Sequence, residues 1–221
     1  MPNFPNETSE YRLARDELLK AEVDLRAQIE RVAAMRREMP LGGLIEEDYV
    51  FDEVDDNGQA KTVRLSELFE DSKTSLFVYS FMYGPNMDNA CPMCSSIIDG
   101  LNGNAHHISE RVNLVVVARS PIDRIMAFAK ERGWNNLRLL SCANNSYGLD
   151  YFGEDAKGNQ MPMANVFVKK NGSIHHFWGT EMLYANLEGQ PRHVDLMWPL
   201  WNVLDTTPEG RGDDWYPPLR S

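Results

Sequence analysis

Three cysteines in 221 residues are too few for a disulfide scaffold, and one is left over if two of them pair. A reducing cytoplasm is therefore the expected location. No apolar run approaches the roughly 20 residues needed to span a bilayer, so no membrane partner is expected. Positive charge is in deficit: 22 Lys and Arg stand against 33 Asp and Glu, for a net charge of −11. That balance argues against nucleic acid and anionic lipid surfaces as partners. Residues 1–7 lack a basic stretch followed by an apolar one, so no secretory signal is expected. Repeats and low-complexity segments are missing too. The remaining composition, 43% hydrophobic and 25% charged, suits one soluble domain with an extension.

Residues 7–39 read as one long helix. Tyr11, Ala14, Leu18, Ala21, Leu25, Gln28, Val32, Met35 and Met39 recur in steps of three and four, with Ile29 widening the stripe. The stripe needs a cover, either the chain's own domain or a second subunit in a homodimer. Pro40-Leu41-Gly42-Gly43 ends the helix, so residues 1–43 form an N-terminal helical extension and 44–221 the main domain. Runs at 49–54 and 61–65 flank Asp55-Asp56-Asn57-Gly58 and read as a β-hairpin. Ser66 is placed to cap a short helix over 67–70. Asp48, Asp52, Glu53, Asp55 and Asp56 read as a solvated acidic strand and turn. Strands are expected at 75–83, 113–118 and 137–142, with helices between them after Cys91 and from Pro121 to Gly133. A second hairpin crosses Asn171-Gly172, and a last helix covers 196–204.

The densest chemical signal is Cys91-Pro92-Met93-Cys94 between an apolar strand and an amphipathic helix. Two cysteines at this spacing and junction suit thiol–disulfide exchange. Cys91 would sit at the helix N-terminus, where free amides and the dipole favour the thiolate. Cys94 would lie one turn inside, within reach to close a disulfide. Pro92 costs little in the first turn, because its missing N–H would have been unpaired there. Two other readings exist for the pair: small buried core residues, or half of a zinc site. Zinc would need His106, His107 or Cys142, but adjacent histidines lack ligand spacing and no second cysteine pair exists. No metal or cofactor is therefore expected. Cys142, ending a strand, reads as a core thiol. His175 and His176 alternate faces on a strand, so at most one could face a site. Trp198, Trp201, Trp215 and Tyr216 are expected to cover the core or an interface.

The order of elements, βαβα and then an antiparallel ββ and α, is that of an α/β thioredoxin-like sandwich, here with a long N-terminal helix and a β-hairpin extension. The hairpin, capped helix, apolar strand and cysteine pair resemble the peroxiredoxin and cytochrome-maturation branch of thioredoxin-like proteins. More narrowly, Phe81-Met82-Tyr83-Gly84-Pro85, Cys91-Pro92-Met93-Cys94-Ser95, Ala118-Arg119-Ser120-Pro121, Arg132-Gly133-Trp134, Ser141, Tyr147, Asp150-Tyr151-Phe152-Gly153 and Pro208-Glu209-Gly210-Arg211-Gly212-Asp213 resemble a bacterial thioredoxin-like family catalogued as a domain of unknown function. The resemblance speaks to the fold more than to the activity; the cysteine pair at this junction points to a thiol–disulfide oxidoreductase with catalytic Cys91 and Cys94, acting on a protein or small-molecule disulfide. The alternatives are a peroxiredoxin-like thiol peroxidase using Cys91 and a non-catalytic redox-sensing or binding module. Two departures stand out. Ala90, not Trp, precedes Cys91. Pro162, the only candidate for the cis-Pro that faces the disulfide in thioredoxins, precedes Val166 by more residues than that pattern requires. Peroxiredoxins approach their cysteine through Pro-x-x-x-Thr-x-x-Cys, whereas here Pro85 lies six residues before Cys91 with no Thr between.

Overall fold

Thr8 opens the first helix, α1 (Ser9–Glu38), by accepting the Tyr11 amide hydrogen bond on its Oγ1 at 3.1 Å. Thirty residues make a rod about 45 Å long. Ion pairs such as Arg12–Asp16 and Arg26–Glu30 lace its polar faces at the spacing of one turn. The computed structural model describes residues 3–55, 57–70, 72–188, 192–212 and 215–219. Asp56 of the hairpin turn and Asp213 of the C-terminal motif lie outside the described residues. The chain forms two compact units, Met1–Pro40 and Leu41–Ser221.

The second unit is built on a seven-stranded sheet with the order β2-β1-β5-β4-β3-β6-β7. Its elements are β1 (Val50–Val54), β2 (Ala60–Arg64), β3 (Ser75–Phe81), α2 (Pro92–Ser109), β4 (Asn113–Ala118), α3 (Ile122–Arg132), β5 (Arg138–Ser141), α4 (Tyr147–Asp150), β6 (Ala164–Lys170), β7 (Ser173–Gly179) and α5 (Pro199–Leu204). β3, β4 and β5 are parallel and joined through α2 and α3, while β6 runs antiparallel to β3 and β7 to β6. This is the α/β thioredoxin-like fold, with the β1–β2 hairpin added on the outer side of β5.

Strand alternation divides the core in two. Tyr79, Phe81, Val116 and Ala118 face α2, α3 and α5. Leu76, Val78, Val115 and Val117 face Tyr49, Phe51, Leu65, Leu68 and Tyr147. Both faces are covered, which is why β3 and β4 read as unbroken apolar runs. Gly133, at φ 72°, closes α3 in the left-handed conformation. Gly42 is needed for a different reason. The segment from Gly42 to Ile45 lies along β7, with Gly42 N donating to His176 O, His176 N to Gly43 O and Ile45 N to Ile174 O. A Cβ at Gly42 would stand 2.7 Å from the His176 carbonyl oxygen.

Two local expectations are corrected. The short helix is a 3₁₀ turn, Leu65–Leu68, with Arg64 at the N-cap position and its amide donating to the Glu67 carboxylate at 2.7 Å. Ser66 instead donates its hydroxyl to Asp48, which also accepts the Ser66 amide. The acidic hairpin is not wholly solvated either: Glu53 is 4% exposed and holds Arg138 at 2.8 and 3.0 Å and Lys61 at 3.1 Å. Burial alone would raise the pKa of this carboxyl, but Arg138 and Lys61 outweigh it and hold it below the usual carboxylate range. Stability from the pair is therefore present above the unfolded carboxyl pKa of roughly 4.3 and is lost as pH falls through the lower folded value. Glu53→Gln is expected to cost about 1–3 kcal/mol at pH 7. Urea unfolding of both proteins at pH 7 and pH 3 should show the gap shrinking in acid.

Candidate functional site

Cys91 is the N-cap of α2, and Pro92 occupies its first turn. The Cys91 amide donates to Met82 O at 3.0 Å, tying the loop back to the end of β3. Its carbonyl accepts the Ser95 amide at 3.0 Å and the Ser95 hydroxyl at 2.9 Å. The Cys91 side chain is thus fixed at the mouth of the helix, where Sγ accepts the Cys94 amide at 3.5 Å. Arg124 on α3 clamps the loop before it. Its guanidinium donates to the carbonyls of Gly84, Met87 and Asp88 and stacks over Tyr83 at 4.3 Å. In the sequence Arg124 is only one charge on an amphipathic helix, and no local signal marks this role.

The two thiols differ sharply. Cys91 is partly exposed, whereas Cys94 is 1% exposed. A hydrogen bond from the Cys94 side chain and the amides of Cys94 and Met93 outweigh burial and lower the Cys91 pKa to about 6. Burial raises the Cys94 pKa, and the neighbouring Cys91 raises it further. Opposing this, Tyr79 of β3 places its hydroxyl against Cys94. Tyr79 is itself buried, and its own pKa is raised by that burial and then by Cys94. The sheet alternation aims Tyr79 at this face, but nothing in the sequence joins a strand tyrosine to a helix cysteine.

Beside the thiols lies a cavity of about 230 Å³, bordered by Tyr79, Cys91, Cys94, Pro162, His193, Trp198 and Trp201. No cis peptide bond occurs among the described residues, so Pro162 is trans, yet it borders the same cavity as the cysteines. His193 Nε2 is 3.0 Å from the Pro162 carbonyl oxygen. A carbonyl only accepts, so Nε2 carries the proton and Nδ1 keeps a lone pair. Burial lowers the His193 pKa, against the opposing pull of the Pro162 hydrogen bond and Asp195, which favours the neutral ring. Trp198 and Trp201 are buried and stand edge to face at 5.4 Å. Arg211 of the C-terminal motif packs over Trp201 at 5.1 Å and pairs with Asp195 at 2.8 Å and Asp205 at 2.6 Å, bracing this wall.

The remaining candidates lie elsewhere. Cys142 belongs to the opposite core and is buried, which pushes its thiol up to about 12. His106 and His107 lie side by side in the last turn of α2, their ring planes tilted by 43°. No group of three or more His, Cys, Asp or Glu able to hold a metal occurs among the described residues. His175 faces the Gly42 carbonyl and His176 the Asn165 side chain, and neither borders the cysteine cavity. Trp215 and Tyr216 are exposed.

The sequence model for a family described as bacterial proteins of unknown function (DUF899) matches residues 1–220. No curated protein matches the chain. Among solved structures, the chain is similar to thioredoxin peroxidase I of Plasmodium yoelii, at 18% identity and a TM-score of 0.48 over 80% of this chain and 97% of that one. It is also similar to the reduced 2-Cys peroxiredoxin of Plasmodium vivax, at 17% identity and a TM-score of 0.46 over 62% and 69%. The 1-Cys peroxiredoxin of Plasmodium falciparum is similar at 15% identity and a TM-score of 0.45 over 64% and 83%.

Proposed function

The chain belongs to the bacterial DUF899 family of unknown function, and from that premise and the site geometry we propose that it is a dithiol–disulfide oxidoreductase using Cys91 as nucleophile and Cys94 as resolving thiol. The observation that carries this reading is the asymmetry of the pair. One thiol has its pKa lowered to about 6 at a helix N-terminus, and its partner lies buried and protonated one turn further in. At pH 7 Cys91 is then mainly thiolate.

The Cys91 thiolate attacks one sulfur of a substrate disulfide, forming a mixed disulfide and expelling the other half as a thiolate. Cys94 then loses its proton and attacks the Cys91 sulfur. The Cys91–Cys94 disulfide forms and the remaining substrate half leaves as a thiolate, which takes up the proton. The Tyr79 hydroxyl, against Cys94, supplies a hydrogen bond to the developing Cys94 thiolate. Nδ1 of neutral His193 is an acceptor on the same cavity.

The second reading is a thiol peroxidase. Cys91 would attack a peroxide oxygen, giving a sulfenic acid and water or alcohol, and Cys94 would condense with it, releasing water. The hydrogen bond between the two thiols favours this route, because it places the resolving thiol beside any sulfenic acid formed. Stopped-flow mixing of the reduced protein with a model disulfide and, separately, with hydrogen peroxide decides between them. Disulfide turnover without peroxide consumption is the expected result, and rapid peroxide consumption would replace it with the peroxidase. A reversible disulfide with neither turnover would leave a redox-sensing module.

The low cysteine count fits a reducing cytoplasm. Among the described residues no helix is long and apolar enough to cross a membrane. The stripe from Tyr11 to Met39 is taken to pair two copies through residues 1–43. Light scattering should give twice the monomer mass for the whole chain and one monomer mass for a chain starting at Leu41.

A further inference from the structure

The cavity beside Cys91 is walled almost wholly by hydrocarbon and sulfur: Met82, Met93, Leu183, Val194, Trp198 and Trp201. Apart from Nδ1 of neutral His193, which is an acceptor and no cation, the polar side chains at its border are already engaged. Trp198 Nε1 donates to Ser96 Oγ at 3.2 Å, and His193 Nε2 is held by Pro162 O at 3.0 Å. Arg192 pairs with Asp195 and, at 2.9 Å, with Asp205. Those two carboxylates also hold Arg211, so the bordering Arg192 and Asp195 belong to a balanced set of two cations and two anions. The Cys91 thiolate adds a negative charge at the floor, in a protein of net charge −11. A substrate carrying carboxylates beside its sulfur would be desolvated there with no uncommitted cation among the described lining residues to meet it.

Resting on the oxidoreductase reading, we infer that the substrate is a disulfide carrying a compact uncharged apolar group, an aryl ring or a branched chain of four or five carbons, next to the sulfur that Cys91 attacks. The volume of about 230 Å³ exceeds the roughly 150 Å³ that encloses a benzene ring. It accommodates a benzyl or isopentyl group and is small for a charged tripeptide. Each methylene buried from water is worth about 3–4-fold in the rate of a step that depends on its binding. An apolar group that fills the cavity is therefore expected to gain at least about 10-fold over a carboxylate of similar length.

The test uses the whole reduced protein at pH 7 and the mixed disulfides of N-acetylcysteinamide with benzyl thiol, 3-methylbutanethiol and 3-mercaptopropionate. Each second-order rate constant is divided by that of the same disulfide with dithiothreitol, which has no cavity and so removes the intrinsic reactivity. The benzyl and isopentyl compounds should exceed the carboxylate by 10-fold or more. Val194→Phe, which fills the cavity, should erase that margin. Leu183→Trp narrows it from another lining position and serves if the first variant does not fold by near-ultraviolet circular dichroism. A disulfide-linked peptide with Phe beside its Cys separates the sources of the apolar group: reaction faster than the benzyl compound assigns it to a protein side chain, and slower reaction to a small thiol. Equal normalised rates for carboxylate and apolar compounds would overturn the substrate class and leave the oxidoreductase intact. No exchange with any of the compounds would overturn the activity, and the substrate class with it.

Discussion

Cys91→Ser abolishes disulfide exchange, with an expected loss of at least about a thousand-fold, since serine offers no thiolate at neutral pH. Cys94→Ser behaves differently. It keeps the first attack and accumulates the mixed disulfide through Cys91, visible as a stable mass increase equal to half of the substrate. The difference follows from the positions of the two sulfurs: one at the mouth of α2 accepting amide hydrogen bonds, the other 1% exposed and protonated. Iodoacetamide labelling read by peptide mass across pH checks the same asymmetry in the unmodified protein. Cys91 should label first, with half-maximal rate near pH 6. Cys94 is shielded by burial, and Cys142, buried on the opposite face with its thiol pushed up to about 12, should stay silent at neutral pH. First labelling at Cys94 or Cys142 would remove Cys91 as nucleophile.

Phe81→Ala should destabilise the second unit by about 3–5 kcal/mol. Phe81 is 2% exposed at the end of β3, with Tyr83 and Trp134 at 5.6 Å and Phe128 at 5.9 Å. Removing the ring empties the centre of an aromatic cluster that joins β3 to α3, and neighbours held on a strand and a helix cannot collapse to refill it. The expected drop in thermal midpoint is roughly 6–20 °C for a domain of this size. Because Met82, which follows directly, accepts the Cys91 amide, the same variant should also raise the alkylation pH of Cys91. A midpoint unchanged within about 2 °C would mean that the cluster relaxes around the void.

Much of this was legible in the sequence because the signals are local. The unbroken apolar runs of β3 and β4 mark strands buried on both faces, and the helix between them makes the pair parallel. Asn171 and Gly172, at φ 52° and 83°, are residue types that adopt the left-handed turn between β6 and β7. Pro92 directly after Cys91 marks the start of α2. The rest depends on contacts far apart in the chain. Tyr79, Pro162, His193 and Trp198 meet at the cysteines from four separate segments, and no spacing announces that meeting. Glu53 looked solvated because its partner Arg138 is 85 residues away, on the strand that β1 joins. Ser66 looked like a helix cap because Asp48, which claims it, comes from the chain before β1.

β7 ends the sheet, and an uncovered strand edge invites another chain to add itself. Here Gly42 to Ile45 occupies that edge, with three main-chain hydrogen bonds to Ile174 and His176. The short stretch after the long helix therefore acts as a guard against aggregation. A chain shortened to Leu41 retains the guard, while one beginning at Glu46 exposes the outer groups of β7 and should precipitate or form higher-order assemblies, even with Cys91 and Cys94 untouched.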